Sequence, residues 1–433
     1  GASIARAQSS GSPTIDAATS MPLRFDGRAA VIIPAGADYL SDPVDMPAKA
    51  LETIAISLHY DGEPEQTSHP GSRATSWHMP GDHLSDATMA GAAHFDHWFN
   101  LAALEVERCA PSRLIVALGD SITDGKGSTT NGNDRWTDVL AKRLQADPQR
   151  PGIAIVNQGI GGNRLLNDGL GPNALARLDR DVLAQPGVTH LIVLEGINDL
   201  GTLTLEAPVS QAEHDSHVTR IIGAYRQIIA RAHAKGVKVI GGTIMPFVGN
   251  GYYHANRDNE ADRQAVNAWI RTPGHFDAVV DFDRVMRDPA KPERLLPAYD
   301  DGDALHPSPA GYRAMGTRYR STCSTDRAVE QSGAFFWGIC QLTQRKVKQW
   351  RPIAPAMTSA PPAAPGSRAR GCLCSRSVVG LTTPMRGRRS VTAITIPIFE
   401  GRHLMLSTAE IDNSMHITAH PWLCWLRSGR LSD

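Results

Sequence analysis

Ser121 sits in Leu114-Ile-Val-Ala-Leu-Gly119-Asp120-Ser121-Ile-Thr-Asp-Gly125, just past an apolar run and just before a stretch of helical periodicity. A hydroxyl at a strand-to-helix junction lies beside unpaired backbone N–H groups, which suits a nucleophile that brings its own oxyanion donor. The same tripeptide also serves as an ordinary turn or helix cap. A base for that serine appears in Asp303-Ala-Leu-His306, where three residues separate carboxylate and imidazole. At that spacing Asp303 can fix the tautomer of His306 while the ring takes a proton from serine. The alternative is that Asp303 caps the helix that Pro309 opens. Two more segments follow apolar runs: Gly159-Ile-Gly161-Gly162-Asn163-Arg164 and Gly196-Ile-Asn198-Asp199. A glycine that frees a backbone N–H and an asparagine amide are two standard oxyanion donors, although both residue types also shape tight turns.

Competing chemistries fail on spacing. A phosphate-binding loop needs four residues before Gly-Lys-Ser/Thr, but Gly119 and Gly125 enclose five and Lys126 is followed by Gly127. The G-x-S-x-G elbow fails at Thr123, and a Ser-x-x-Lys dyad fails at Asp124. A dinucleotide fingerprint after Val156 would need glycine where Arg164 stands.

The elements that must position these residues are short β-type runs alternating with helical stretches. The runs are Leu114–Leu118, Ile153–Val156, Leu191–Leu194, Val237–Ile244 and Ala278–Val280. One helix is expected from about Asp134 to Leu144. The clearest spans about Gln211 to Lys235, with Ile221, Ile222, Tyr225, Ile228, Ile229 and Ala232 on one face and Gly236 as its stop. Five such repeats predict an open, mostly parallel α/β sheet with helices on both faces, whose working groups gather at the carboxyl ends of the strands. Upstream, from Leu23 to about Glu107, runs such as Ala29–Ile33 and Ile54–Leu58 between Pro, Gly and Asp clusters predict a β-rich region.

Taken together, Gly119-Asp120-Ser121, Gly162, Gly196-Ile-Asn198-Asp199 and Asp303-Ala-Leu-His306 resemble the four ordered blocks of the SGNH hydrolases, the GDSL lipase and esterase family. The resemblance spans roughly Arg113 to Gly316. It implies a flavodoxin-like three-layer fold and ester cleavage through an acyl-enzyme, with no cofactor. It further implies Ser121 as nucleophile, His306 as base, Asp303 as its orienting partner, and an oxyanion hole built from Ser121, Gly162 and Asn198. Asp120, Asn163, Arg164 and Asp199 are expected to bind substrate at the mouth of the site, with loop shaping as their alternative role. The β-rich region resembles the accessory region of a bacterial subgroup, here starting partway through, and the resemblance implies export from a bacterial cell. Three functions remain open: a serine carboxylesterase acting on short-chain esters, a carbohydrate acetylesterase, and a non-catalytic binding module that keeps the fold.

The domain organisation expected is residues 1–110 as the accessory region, 111–320 as the hydrolase domain and 321–433 as a tail. The 433 residues carry 44 basic and 44 acidic side chains. That neutrality is an average, since residues 1–316 hold 28 basic against 38 acidic and residues 317–433 hold 16 against 6. An acidic hydrolase region argues against nucleic acid as its partner, because phosphate binding needs a clustered basic surface. No apolar run approaches the roughly 18 residues of a spanning helix. The chain begins at Gly1 without a secretory signal, so a processed or cut N-terminus is expected. In the tail, the Pro- and Ala-rich stretch 354–370 and the cluster Arg386, Arg388 and Arg389 lack an apolar face, and the tail is expected to be loosely structured. A disordered extension and the product of a reading-frame change both fit that composition. Neither Cys372-Leu-Cys374 nor the group His78, His83, His94, Asp96 and His97 has the spacing of a closed metal site, and no metal is expected.

Overall fold

The structure, a computed structural model, describes residues 1–62, 68–69, 71–107, 112–148, 152–318, 377–382, 390–397 and 403–405. All six cysteines, residues 354–370 and the arginines at 386, 388 and 389 lie outside them.

The N-terminal region contributes β1 (Ala2–Arg6), β2 (Met21–Leu23), β3 (Asp38–Leu40), β4 (Thr53–Tyr60), β5 (Ser68–His69), β6 (Ser76–Pro80), β7 (Ala93–Phe95), β8 (Trp98–Phe99) and β9 (Leu101–Val106). In β4 every residue from Ile54 to Leu58 is buried, the pattern of a central strand covered on both faces. The run Ala29–Ile33 departs from expectation. It is not a strand, and Ile32 is 95% exposed, because the Phe25–Arg28 bridge closes a turn just before it and Pro34 follows it.

The second region begins with β10 (Arg113–Gly119), α1 (Ser121–Asp124), α2 (Trp136–Gln145), β11 (Ile153–Gly159), α3 (Ala174–Leu178) and β12 (Val188–Leu194). It continues with α4 (Ile197–Leu203), α5 (Gln211–Ala234), β13 (Lys238–Gly242), α6 (Arg257–Arg271), β14 (Ala278–Val280), α7 (Phe282–Met286) and α8 (Pro309–Arg318). The five strands form a parallel sheet in the order β11-β10-β12-β13-β14. That is the 2-1-3-4-5 order of flavodoxin-like folds, with the chain reversing direction across the sheet at β10. Helices α2 and α8 pack together, as do α5 and α6. Leu191, Ile192 and Val193 of β12 are fully buried, each worth about 1.5–3 kcal/mol of apolar burial. Helix α5 starts at a Ser210–Glu213 capping box and buries Ile221, Tyr225, Ile228 and Ala232, with Gly236 at φ 73° just past its end.

The tail is not irregular throughout. It supplies β15 (Ser377–Thr382), β16 (Ser390–Pro397) and β17 (His403–Met405). Strand β16 lies antiparallel between β4 and β6, with Ile394 opposite both Ile56 and Ser76, giving the sheet order β2-β1-β4-β16-β6-β7. Strands β15 and β17 flank β9 in a second sheet, β17-β9-β15-β3. The reason is local. Ser-Val-Thr-Ala-Ile-Thr-Ile-Pro is a β-branched run that fits a pleated surface, and the backbone groups along β4 and β6 need partners. Composition averaged over 117 residues hides these eight.

Candidate active site

Strand β10 ends at Gly119, and Asp120 caps α1 by accepting the Ile122 N–H at 2.8 Å. Ser121 is therefore the first helical residue, held at the carboxyl edge of the sheet. Gly125, at φ 114°, ends the helix after a single turn. Strand β11 passes so close beneath that a side chain at Gly159 would collide with the Asp124 backbone, so only glycine fits there.

The last loop brings the imidazole. Ser121 Oγ and His306 Nε2 are 2.8 Å apart, and His306 Nδ1 stands 2.6 Å from Asp303 Oδ2. The other Asp303 oxygen accepts the backbone N–H groups of Leu305 at 3.0 Å and His306 at 2.8 Å, which locks the carboxylate in place. Burial works to raise the Asp303 carboxyl, but the ring and backbone N–H groups of His306 outweigh it and hold the pKa at about 2. A carboxylate facing Nδ1 puts the ring proton there and leaves Nε2 as the acceptor for the serine hydroxyl.

The three residues open into a cavity of about 820 Å³ whose wall also includes Ile160, Gly161, Gly162, Leu170 and Asn198. Gly162 adopts φ 68°, and a Cβ there would lie 2.9 Å from Leu170 Cδ1. The Asn198 amide is oriented by two partners: its oxygen accepts the Tyr253 hydroxyl at 2.6 Å and its nitrogen donates to the Asn163 carbonyl at 2.8 Å. Burial raises the Tyr253 pKa, which keeps that hydroxyl a donor. A primary amide carries two N–H groups, so Asn198 has a second one beyond the bond to Asn163. Ser121, Gly162, Asn198, Asp303 and His306 thus come together around one space.

The four residues expected at the mouth do not. Asp120, Asn163 and Asp199 are each 1% exposed and point into the protein. Asp120 caps α1. Asn163 donates to the Pro172 carbonyl at 2.8 Å and accepts Arg177 Nε at 3.0 Å. Asp199 accepts the Leu165 and Leu166 N–H groups at 2.8 and 3.0 Å, and so ties the loop after β11 to the start of α4. Arg164 donates to the Asp168 carbonyl and forms no part of the cavity wall. Short polar side chains at buried loop positions are taken up by backbone partners, while cavity-facing places fall to glycines, so Asp120, Asn163 and Asp199 shape loops, and Arg164 braces its own loop.

Other wall and support residues were not foreseen. Arg177 is wholly buried and donates to the carbonyls of Gly119 at 3.0 Å and Gln158 at 2.8 Å, the ends of β10 and β11. Nothing in its local sequence marks it. His69, Gly71 and Arg73, from the N-terminal region, line the cavity beside Ser121, as do Asn250, Tyr252 and Tyr253 from the loop after β13. Among the described residues no three His, Cys, Asp or Glu side chains converge as a metal site would require, and no helix is long and apolar enough to cross a membrane. His83 instead pairs with Asp86 at 2.8 Å, and the His94 ring packs against Trp77 at 5.4 Å.

Burial sets the Asp120 pKa up from 3.8 to about 7, with repulsion from Asp199 adding to it and the Ile122 N–H working against it. A raised carboxyl stabilises the fold in its acid form. That contribution is complete below the unfolded value of 3.8 and is lost as pH rises through about 7. Asp120→Asn keeps the oxygen that caps α1 and does not ionise. Urea unfolding from pH 5 to pH 8 is expected to show the wild type losing stability relative to this variant as pH rises.

Residues 117–314 match the GDSL-like Lipase/Acylhydrolase family. This segment, somewhat less than half of the chain, is similar to that family. That match supports a coarse activity, ester hydrolysis of the acylhydrolase kind. Solved structures similar to the chain include an acetylxylan esterase from Geobacillus stearothermophilus, at 22% identity and TM-score 0.37, covering 50% of this chain and 96% of that one. An α/β hydrolase from the metagenome of Lake Arreo, Spain, is similar at 21% identity and TM-score 0.36, covering 50% and 97%. A GDSL-like lipase from Bacteroides thetaiotaomicron is similar at 18% identity and TM-score 0.35, covering 49% and 88%. No curated protein matches the chain.

Proposed function

We propose that this GDSL-like protein is a carboxylesterase that cleaves short-chain carboxylic esters through an acyl-serine intermediate. The observation that carries the reading is the unbroken run from Asp303 to His306 to Ser121, at 2.6 and 2.8 Å, opening on a cavity of about 820 Å³. In this reading His306 Nε2 takes the Ser121 proton as Oγ attacks the ester carbonyl, and Asp303 stabilises the imidazolium that forms. The Ser121 and Gly162 N–H groups and the Asn198 amide hold the oxyanion. His306 then gives its proton to the departing alcohol, and water attacks the acyl-serine by the same route in reverse. The reaction needs no cofactor. We also assign residues 1–110 as an accessory region and 111–320 as the catalytic domain.

A second reading, removal of acetyl groups from carbohydrate, is favoured by the cavity wall. Gly161, Gly162, Gly249, Gly251 and Gly302 present backbone polar groups, and Tyr252, 64% exposed, offers a ring face for a sugar. Hydrolysis of p-nitrophenyl acetate, butyrate and octanoate alongside acetylated xylan separates the two. The carboxylesterase reading expects turnover of the aryl esters falling with chain length, and faster deacetylation of xylan than of any aryl ester would overturn it. Asn198→Ala is expected to lower kcat by roughly 10²–10³. An unchanged kcat would remove Asn198 from the oxyanion hole.

A further inference from the structure

His69 belongs to the N-terminal region, yet its ring lies in the wall of the same cavity as Ser121 and His306. Its Nε2 stands 2.5 Å from Asp124 Oδ1, and the two side chains are only 9% and 6% exposed. Asp124 is three residues after Ser121 on the single turn of α1, so both point to one side of it. The Asp124 carboxylate therefore stands in the wall of the space where ester oxygen would gain negative charge, a charge of the wrong sign for that place.

The surrounding residues fix this contact. The β5–β8 pairing sets His69 opposite Trp98, whose ring meets the imidazole edge-on at 5.1 Å. Gly71 presses so close to the Asp124 carboxylate that any side chain there would collide with it. Arg135, the residue just before α2, donates to the Asp124 carbonyl at 2.8 Å and also to the Ser72 carbonyl, joining the two regions a second time. His69 and Gly71 thus meet the turn that carries Ser121 directly, and Ser72 meets it through Arg135.

We propose that His69 is a positioning residue of the hydrolase: its ring N–H satisfies and disperses the Asp124 charge, which holds the Ser121 turn and keeps an uncompensated anion out of the ester-binding cavity. The proposal rests on the reading of Ser121 as nucleophile. It makes the accessory region part of the active site, supplying the side-chain partner of the Asp124 carboxylate.

The test is a double-mutant cycle on the full chain, with p-nitrophenyl butyrate as substrate and urea unfolding to establish that each variant is folded. His69→Ala is expected to lower kcat roughly tenfold or more while KM changes less than threefold, because a buried charge left unpaired is costly. Asp124→Asn in the His69→Ala background is expected to recover most of that loss, since the orphaned charge is gone. His69→Gln, which keeps a donor, is expected to retain activity closer to wild type than His69→Ala and serves if the alanine variant does not fold. A folded His69→Ala with wild-type kcat, a double variant no faster than the single one, or a glutamine variant as slow as alanine would each overturn the proposal. Absence of hydrolysis by the wild type would instead overturn the carboxylesterase reading on which it rests.

Discussion

Ser121→Ala is expected to lower kcat on p-nitrophenyl butyrate by a factor on the order of 10⁶, leaving only what the oxyanion donors and substrate binding supply. The magnitude follows from the unit the three residues form. With Ser121 Oγ 2.8 Å from His306 Nε2, and His306 held by Asp303 at 2.6 Å, Ser121 carries the hydroxyl that pairs with His306 Nε2 among the described residues. The same logic fixes a non-additive result. Adding His306→Ala to Ser121→Ala costs almost nothing more, because a base without its nucleophile has no task. The stability of Ser121→Ala stays close to wild type, since Ser121 is the first residue of α1 while Asp120 makes the cap.

Arg177→Met is expected to have the largest effect on folding, about 3–5 kcal/mol lost in urea unfolding. The methionine fills much of the arginine volume but abandons the carbonyls of Gly119 and Gln158 and the side-chain oxygen of Asn163, all buried acceptors. It also strips Asp181, 3.1 Å away, of one of its two arginines, the other being the more exposed Arg180. Glu195, although 3.5 Å from Arg177, makes no hydrogen bond to it; burial and the nearby Asp120 favour its protonated form, so we count it as a buried acid rather than an ion pair. Activity falls as well, because Asn163 carries both the Arg177 contact and the carbonyl that orients Asn198. A variant of unchanged stability would show that Arg177 is not the tether of the two strand ends.

The strands and helices around the site were legible because their signals are local. Helix α5 announces itself by apolar residues at helical spacing and by Gly236, and the five buried runs mark the parallel sheet. Residues that meet across a sheet edge leave another kind of trace. Ser121, Asp303 and His306 stand out in the sequence because their types and order carry chemistry, whereas Arg177, His69 and Tyr253 make contacts far apart in the chain and look ordinary in place. The misread residues follow the same division. Asn163 and Asp199 stand beside oxyanion donors in sequence, but a neighbour along a loop points the other way, and their side chains turn inward to backbone partners. In the tail, bulk composition masked Ser390–Pro397, whose pairing depends on open strands some 330 residues earlier in the chain.

The claim that everything else depends on is that Ser121 forms a covalent bond to the acyl group. Incubating the full chain with a fluorophosphonate, then locating the adduct by peptide mass spectrometry, tests it without any choice of substrate. One adduct per chain is predicted, on Ser121, formed far more slowly in His306→Ala. An adduct on a different residue, or none under conditions in which the protein hydrolyses p-nitrophenyl butyrate, would contradict the account.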